Sequence, residues 1–470
     1  MRYISTRGQA PALSFADAVL AGLARDGGLY LPETWPRLVP EMIASFAGRP
    51  YHEVAAEVIT PFAAGSIAPD VIARLCRGAY ADFGHPAVAP LVQTAPGHFV
   101  LELFHGPTLA FKDVAMQLLA RLMDHVLEAR GERAAIVCAT SGDTGGAAVE
   151  AFRGSKRVDA IVLFPEGRVS DVQRRMMTTP VAPNVHAAAV QGDFDACQAL
   201  VKAMFNHHAF RDRVRLAGVN SINFARILAQ AVYYFTAAAA LGAPHRAVSF
   251  SVPTGNFGDI FAGYAAKRMG LPVDQLIIAA NANDILRRAL ETGAYETRAV
   301  SATMSPSMDI QVSSNFERLL FESLGRDARR TSLLMSSLKQ SGRFEIPAEA
   351  LAEIRKEFTA RSASEEECAA AIRDCFAASG YLIEPHTAAG FHAARLALQE
   401  SVSPLVTLAT AHPAKFPDAM QSVTGKRPAL PGRLKGLMSA PERVTLLPDD
   451  LAAVEAFVEA RARAVRGADA

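Results

Sequence analysis

Beyond about Pro96 the chain repeats one pattern: a short apolar run, a loop of small residues, then a helical stretch. Arg133-Ala-Ala-Ile-Val-Cys-Ala-Thr140 runs into Ser141-Gly-Asp-Thr-Gly-Gly146, and Ala147 to Phe152 begins a helical pattern. Asp159 to Phe164 meets Pro165-Glu-Gly167. Val248 to Val252 leads into Pro253-Thr-Gly-Asn-Phe-Gly-Asp259, followed by a helical stretch from Ile260 to Met269 that stops at Gly270. Leu276 to Ala280 and Pro404 to Ala409 are two more such runs. Runs this short, apolar throughout and separated by helices, predict buried parallel strands in βα units. Such units build open, doubly wound sheets that bind ligands at the carboxyl ends of their strands. The first 95 or so residues differ. Helical stretches at Ser14–Ala24, Tyr51–Ile59 and Asp70–Phe83, punctuated by Asp26-Gly-Gly28 and Leu31-Pro-Glu33, predict a separate N-terminal helical domain. Thr331–Ser379 is again helical with charged faces, and Val444–Gly467 predicts a terminal helix and tail.

Composition narrows the class. Lys and Arg number 48 against 47 Asp and Glu in 470 residues, a formal net charge of +1, so no basic excess points to nucleic acid. Half the residues are hydrophobic and 20% are charged, which excludes a disordered chain. The five cysteines (Cys76, Cys138, Cys197, Cys368, Cys375) contain no C-x-x-C pair, so neither a disulfide framework nor a zinc site is indicated. The N-terminus lacks an apolar signal core. No run of about 18 apolar residues could span a bilayer. The longest apolar stretch, Ala229–Gly242, holds Gln230 and two tyrosines and reads as a buried helix. A cytoplasmic globular enzyme is the expectation. His386 and His392 lie six apart, off the spacing of a helical metal pair, so no metal site is expected.

Four loops could carry chemistry. In Gly255, Asn256, Phe257, Gly258 and Asp259, glycines allow close backbone approach and the following helix offers free N–H groups, which suits a phosphate. A tight strand-to-helix turn is the plain alternative. Ser141, Gly142, Asp143 and Thr144 have the same design and suit a carboxylate or phosphate, with Asp143 alternatively a helix cap. Lys112 stands in apolar company in His105-Gly-Pro-Thr-Leu-Ala-Phe-Lys-Asp113, just before a helix predicted at Val114–Glu128. A buried lysine near positive potential has a lowered pKa and can act as nucleophile or base, although most lysines lie on the surface. Asn220, Ser221 and Arg226 open a further helix and could hold a second anion, or could be caps and a solvated arginine.

Two anion-shaped loops plus one isolated lysine suggest pyridoxal phosphate, and the motifs resemble those of the threonine synthase family within the fold type II pyridoxal-phosphate enzymes. His105–Asp113 resembles its Schiff-base lysine motif. Ala139–Gly145, Asn220–Arg226, Gly255–Asp259, Ser307-Met-Asp-Ile-Gln-Val-Ser-Ser-Asn315 and Thr410-Ala-His-Pro-Ala-Lys-Phe416 follow in the family's order, as do Tyr3–Gly8 and Asp26–Pro32 near the start. The likeness spans essentially the whole chain and its longer subgroup. It implies an α/β fold of two doubly wound open sheets with the cofactor between them, plus a mainly helical N-terminal domain. On that plan residues 1–95 form the N-terminal domain and 96–215 a smaller α/β domain with Lys112. Residues 216–435 form a larger α/β domain with the phosphate loop and Thr410, and 436–470 a helix and tail.

The resemblance also implies roles. Lys112 would bind the cofactor aldehyde and move protons, Gly255–Asp259 would hold its phosphate, and Thr410 would meet the ring nitrogen. Ser141, Gly142, Asp143 and Thr144 would bracket the substrate carboxylate and the ring hydroxyl. Asn220, Ser221 and Arg226, with Thr144, would receive the substrate's phosphate. The implied reaction converts O-phospho-L-homoserine and water to L-threonine and phosphate. Monomer and dimer both stay open. Asp143 departs from the asparagine common in the wider superfamily. An ionised aspartate beside the ring oxygen would be repulsive, so either a proton is shared there or Asp143 turns away to cap its helix.

Overall fold

The computed structural model describes residues 1–398 and 403–466. The last four residues of the predicted tail lie outside that range. The predicted strands assemble into two open sheets. The larger has six strands in the order Phe358–Ser362, Val273–Ala280, Val248–Pro253, Leu405–Ala409, His98–Glu102 and Leu91–Ala95. All its pairings are parallel except the last. The smaller has five parallel strands in the order Thr445–Pro448, Val185–Gln191, Val158–Pro165, Ala134–Ala139 and Leu216–Ala217. Val158–Pro165 is buried at every position, as a parallel strand covered by helices on both faces must be. Its one charge, Asp159, accepts from the backbone N–H of Arg463 at 2.7 Å and from its Nε at 2.6 Å. That pair fastens the C-terminal segment to the sheet.

Strand pairing cuts across the expected domain boundaries. Leu91–Ala95 and His98–Glu102 form one hairpin in the larger sheet, so the division at 95/96 and the assignment of 96–102 to the smaller unit are both corrected. Ala95-Pro96-Gly97, where the sequence pattern changes, is a hairpin turn, in which Gly97 takes a φ of 70°. Thr445–Pro448 adds an edge strand to the smaller sheet, so the C-terminal segment belongs with Ala134–Gln191.

The N-terminal region is mainly helical, with helices at Phe15–Ala21, Tyr51–Ala63 and Pro69–Tyr80. It has no core of its own. Val54, Val58 and Phe62 are fully buried in the same apolar cluster as Met116 and Leu119 of helix Lys112–Arg130 and Phe235 of helix Phe224–Ala240. The apolar stretch at Ala229–Gly242 forms the second half of the helix Phe224–Ala240 and the turn that ends it, and its Tyr233 and Tyr234 are fully buried. Among the described residues, no helix is long and apolar enough to cross a membrane.

Candidate active site

The helix expected from Val114 begins at Lys112 and runs to Arg130. Its entry is folded tightly. Asp113 is fully buried, and its carboxylate accepts from the N–H of Thr108 at 2.8 Å and from its hydroxyl at 2.7 Å. Gly106 packs so closely that a Cβ there would lie 2.3 Å from the Cβ of Asp113. Phe111 N–H donates to the Thr410 carbonyl at 2.8 Å. This bond seats Lys112 beside the loop that leaves the strand Leu405–Ala409. Burial lowers the Lys112 ammonium below the ordinary lysine range. Asp143 opposes that shift, and the positive charges of Lys415 and Arg226 add to it.

Ser141 and Gly142 connect the strand Ala134–Ala139 to the helix Asp143–Phe152. Gly142 has a φ of 137°, a backbone that only glycine adopts readily. The Thr140 hydroxyl accepts from the N–H groups of Gly142 and Gly145, both at 2.9 Å, and shapes the turn. Asp143 does not cap this helix. Its carboxylate faces Lys112 Nζ at 3.6 Å and Lys415 Nζ at 2.5 Å, and accepts from Gln173 Nε2 at 2.8 Å. Burial opposes its ionisation, but Lys415 and Lys112 outweigh it and hold the carboxyl well below the usual range. Of the two alternatives raised from sequence, the helix cap does not form, and Asp143 instead makes a buried ion pair with Lys415.

The loop Gly255–Asp259 leaves the strand Val248–Pro253 and opens the helix Gly258–Arg268. Phe257 has a φ of 63°, and a Cβ on Gly255 would lie 2.7 Å from the Ser307 carbonyl oxygen. Among the described residues, the N–H groups of Gly255, Asn256, Phe257 and Gly258 meet no acceptor. Asp259 is buried, and its carboxylate accepts from Ile260 N–H at 2.9 Å. Burial pushes its pKa up to about 7, so its carboxyl is only partly ionised near neutrality.

Arg226 is 2% exposed. Its Nη1 donates to the Val219 carbonyl at 3.3 Å, while its Nε has no partner among the described residues. Burial lowers its pKa to about 10, so it stays charged at neutral pH. The alternative reading of Asn220 and Ser221 as helix caps does not hold, because the cap is Asn223, whose side chain accepts from Ala225 N–H at 3.0 Å. Its carboxamide also donates to Val19 and Gly218, and so joins the N-terminal region to this turn. Asn220 is exposed and Ser221 half-buried on the turn before the helix. Asn315 links that turn to the phosphate-shaped loop. Its Nδ2 donates to the Asn256 carbonyl at 2.9 Å and the Ser221 carbonyl at 3.3 Å.

Thr410 is buried, and its hydroxyl donates to Glu384 Oε1 at 3.4 Å. Glu384 also accepts from His386 Nδ1 and from the Thr387 hydroxyl, both at 2.7 Å. Lys112, Asp143, Arg226, Thr410 and the Gly255–Asp259 loop therefore meet between the two sheets. Sequence reasoning missed Lys415, Gln173 and Glu384. Lys415 carried a signal akin to that of Lys112, a lone lysine in apolar company, here between Ala414 and Phe416. Gln173 and Glu384 belong to no loop of small residues, and only the fold brings them in.

Two open sheets meeting at a buried lysine and an amide-lined loop define a fold type II pyridoxal-phosphate enzyme. Residues 86–411 accordingly match the sequence profile of the family described as "Pyridoxal-phosphate dependent enzyme". Residues 2–80 match "Threonine synthase N terminus" and 387–458 match "Threonine synthase, C-terminal". The threonine synthase of Pseudomonas aeruginosa is 54% identical over 97% of this chain and 98% of its own. The crystal structure of the pyridoxal-phosphate-bound threonine synthase from Brucella melitensis shares 59% identity at a TM-score of 0.96, covering 98% of this chain and 100% of that one. The yeast threonine synthase structure shares 37% at a TM-score of 0.92, covering 98% of each chain. The chain belongs to the threonine synthase family.

Proposed function

We propose that the protein converts O-phospho-L-homoserine and water to L-threonine and inorganic phosphate, with pyridoxal 5'-phosphate as cofactor. The observation that carries the reading is Arg226, a fully desolvated guanidinium with an orphaned Nε and no carboxylate bonded to it, in the same pocket as Lys112. Lys112 and Lys415 face Asp143, and Arg226 adds positive charge beside Lys112, a setting that suits incoming phosphates. Those phosphates come with soluble metabolites, and we place the enzyme in the cytoplasm.

The pocket fits the cofactor. The free N–H groups of Gly255–Gly258 sit at a helix N-terminus, where a phosphate gains from both hydrogen bonds and the helix dipole. Lys112 would supply an amine of lowered basicity for the aldehyde, Thr410 a hydroxyl for the ring nitrogen, and Asp143 would meet the ring oxygen. When bound, the cofactor supplies the electron sink that lets protons leave the substrate's Cα and Cβ and the γ-phosphate depart.

The remaining work belongs to the chain. Ser141, Gly142 and Thr144 orient the substrate carboxylate at the start of helix Asp143–Phe152. Asn220, Ser221 and Arg226, with Thr144, receive the departing phosphate. Lys112 Nζ moves the proton at Cα, and its lowered pKa brings it nearer the neutral range where a base is most effective. Burial between the sheets keeps bulk water away from the activated carbon, so the water added at Cβ is the admitted one.

Arg226→Ala is expected to lower kcat/KM for phosphohomoserine by about 10²–10³, as loss of a buried anion donor does elsewhere. Phosphate release and threonine formation are followed together. An unchanged kcat/KM sinks the assignment, and phosphate release without threonine sinks the reaction. Gly255→Ala forces a methyl against the Ser307 carbonyl and is expected to weaken cofactor binding by on the order of tenfold. Titration of the apoenzyme with pyridoxal phosphate measures this directly.

A further inference from the structure

Two lysines, not one, lie in this pocket, and the second is the more deeply buried. Lys415 is 1% exposed. Its Nζ donates to the Thr108 carbonyl at 2.8 Å and pairs with Asp143 Oδ1 at 2.5 Å. Lys112 stands farther from the same carboxylate, 3.6 Å from Oδ2. Ser170 hydrogen-bonds both Gln173 Oε1 and the Lys415 carbonyl, while Gln173 Nε2 bonds Asp143. Asp143 thus has a fixed neighbour on either side and one partner, Lys112, whose nitrogen is committed to the chemistry.

We propose that Lys415 is a positioning residue, the standing counter-ion of Asp143, which keeps this carboxylate ionised and neutralised beside the cofactor ring while Lys112 changes charge. The inference rests on the reading that Lys112 carries pyridoxal phosphate. Its logic is electrostatic. A lysine nitrogen condensed with an aldehyde, or freed as a neutral base, no longer offers Asp143 a constant positive charge. If Lys112 were the only partner, each such step would leave a buried unpaired carboxylate, at a cost of several kcal/mol. Lys415 takes no part in the bond changes, so the pair Asp143–Lys415 stays neutral throughout. The same pair answers the repulsion between a carboxylate and the ring oxygen, because an ion pair presents no net charge to it.

The other charged groups around this pair are Asp113, which lies close enough to Lys415 to interact with it, and His412. Arg226 and Asp259 lie close enough to Lys112 to interact with it. None of them hydrogen-bonds to Asp143, whose polar partners among the described residues are Lys112, Lys415 and Gln173.

The test is the pH at which the visible absorbance of the cofactor-loaded enzyme changes. Lys415→Met leaves Asp143 uncompensated, so the loaded Lys112 nitrogen holds its proton more tightly. The midpoint is expected to rise by about one pH unit or more. Asp143→Asn removes the anion and is expected to lower it. In the double variant Asp143→Asn/Lys415→Met both charges go, and the midpoint returns to within about a third of a unit of the wild type. A role confined to packing would move neither single variant in this signed, cancelling way. An unmoved midpoint in Lys415→Met, or a double variant that shifts as far as Lys415→Met alone, overturns the proposal. If Lys415→Met does not fold, the double variant decides, because replacing a whole buried pair is far better tolerated than removing one partner. It must fold and titrate like the wild type, and failure to do so also overturns the proposal. A wild-type protein that develops no visible band with pyridoxal phosphate would sink the cofactor reading itself, a result distinguishable from an unshifted variant.

Discussion

Lys112→Ala is expected to abolish threonine formation, lowering kcat by about 10⁴-fold or more, because one substitution removes both the covalent anchor and the acid–base group. The protein is expected to fold normally. Lys112 is the first residue of its helix, alanine is the best helix former, and Asp143 keeps Lys415 at 2.5 Å. The variant even relieves the pocket of one of its crowded positive charges. Cofactor binding is expected to survive in weakened form, since the Gly255–Asp259 loop and Thr410 are untouched. Borohydride reduction then separates the covalent role from general damage. Treatment of the loaded wild type adds the cofactor's mass to the peptide that contains Lys112, and treatment of the variant adds nothing. A variant that turns over phosphohomoserine at the wild-type rate would remove Lys112 from the chemistry.

Much of this site was legible in the chain because its parts are local. A loop of small residues after an apolar run marks a strand end, and a lone lysine among apolar residues marks a buried charge. Both signals lie within about ten residues of sequence, and both led to groups that the fold brings together. What escaped were the long-range partners. Lys415 lies 272 positions after Asp143, and Glu384 lies outside every small-residue loop, so nothing local ties either to its partner. Domain limits were misjudged for a related reason. The change of pattern near Pro96 marked a boundary, yet the strands on either side of it pair with each other, and pairing is not written in composition. The N-terminal motifs Tyr3–Gly8 and Asp26–Pro32 were legible as a signature but not as a mechanism.

That mechanism runs through Arg318, whose replacement by methionine is expected to lower the stability of the apoenzyme by about 3–5 kcal/mol. Arg318 is completely buried. Its Nη2 donates to the Ile222 carbonyl at 2.6 Å and the Tyr30 carbonyl at 3.0 Å, its Nε also reaches Tyr30, and its Nη1 bonds Asn315 Oδ1. Methionine fills comparable volume but donates nothing. Two backbone carbonyls and one amide oxygen would be left buried without partners, at roughly 1–3 kcal/mol each before relaxation. Burial pulls the pKa of Arg318 down to about 9, and relief of that desolvation limits the net loss. The damage is expected to reach the site. Tyr30 belongs to the strand Tyr30–Pro32, which pairs with Tyr3–Ser5, Ile222 to the turn bearing Ser221, and Asn315 holds the Asn256 carbonyl. One guanidinium therefore fastens the N-terminal region to both anion loops, and its loss should weaken cofactor binding as well as stability. Arg7→Ala is the contrast. Its partner Glu317 keeps the Thr6 hydroxyl at 2.6 Å, and its own side chain is 28% exposed, so about 1 kcal/mol is expected. Lysine at 318 is not expected to rescue, because a single ammonium cannot reproduce a planar fork of donors. Urea unfolding of the apoenzyme, with and without pyridoxal phosphate, measures both effects. An Arg318→Met protein that unfolds at the wild-type midpoint and binds cofactor as tightly would break the link between the N-terminal motifs and the phosphate loop.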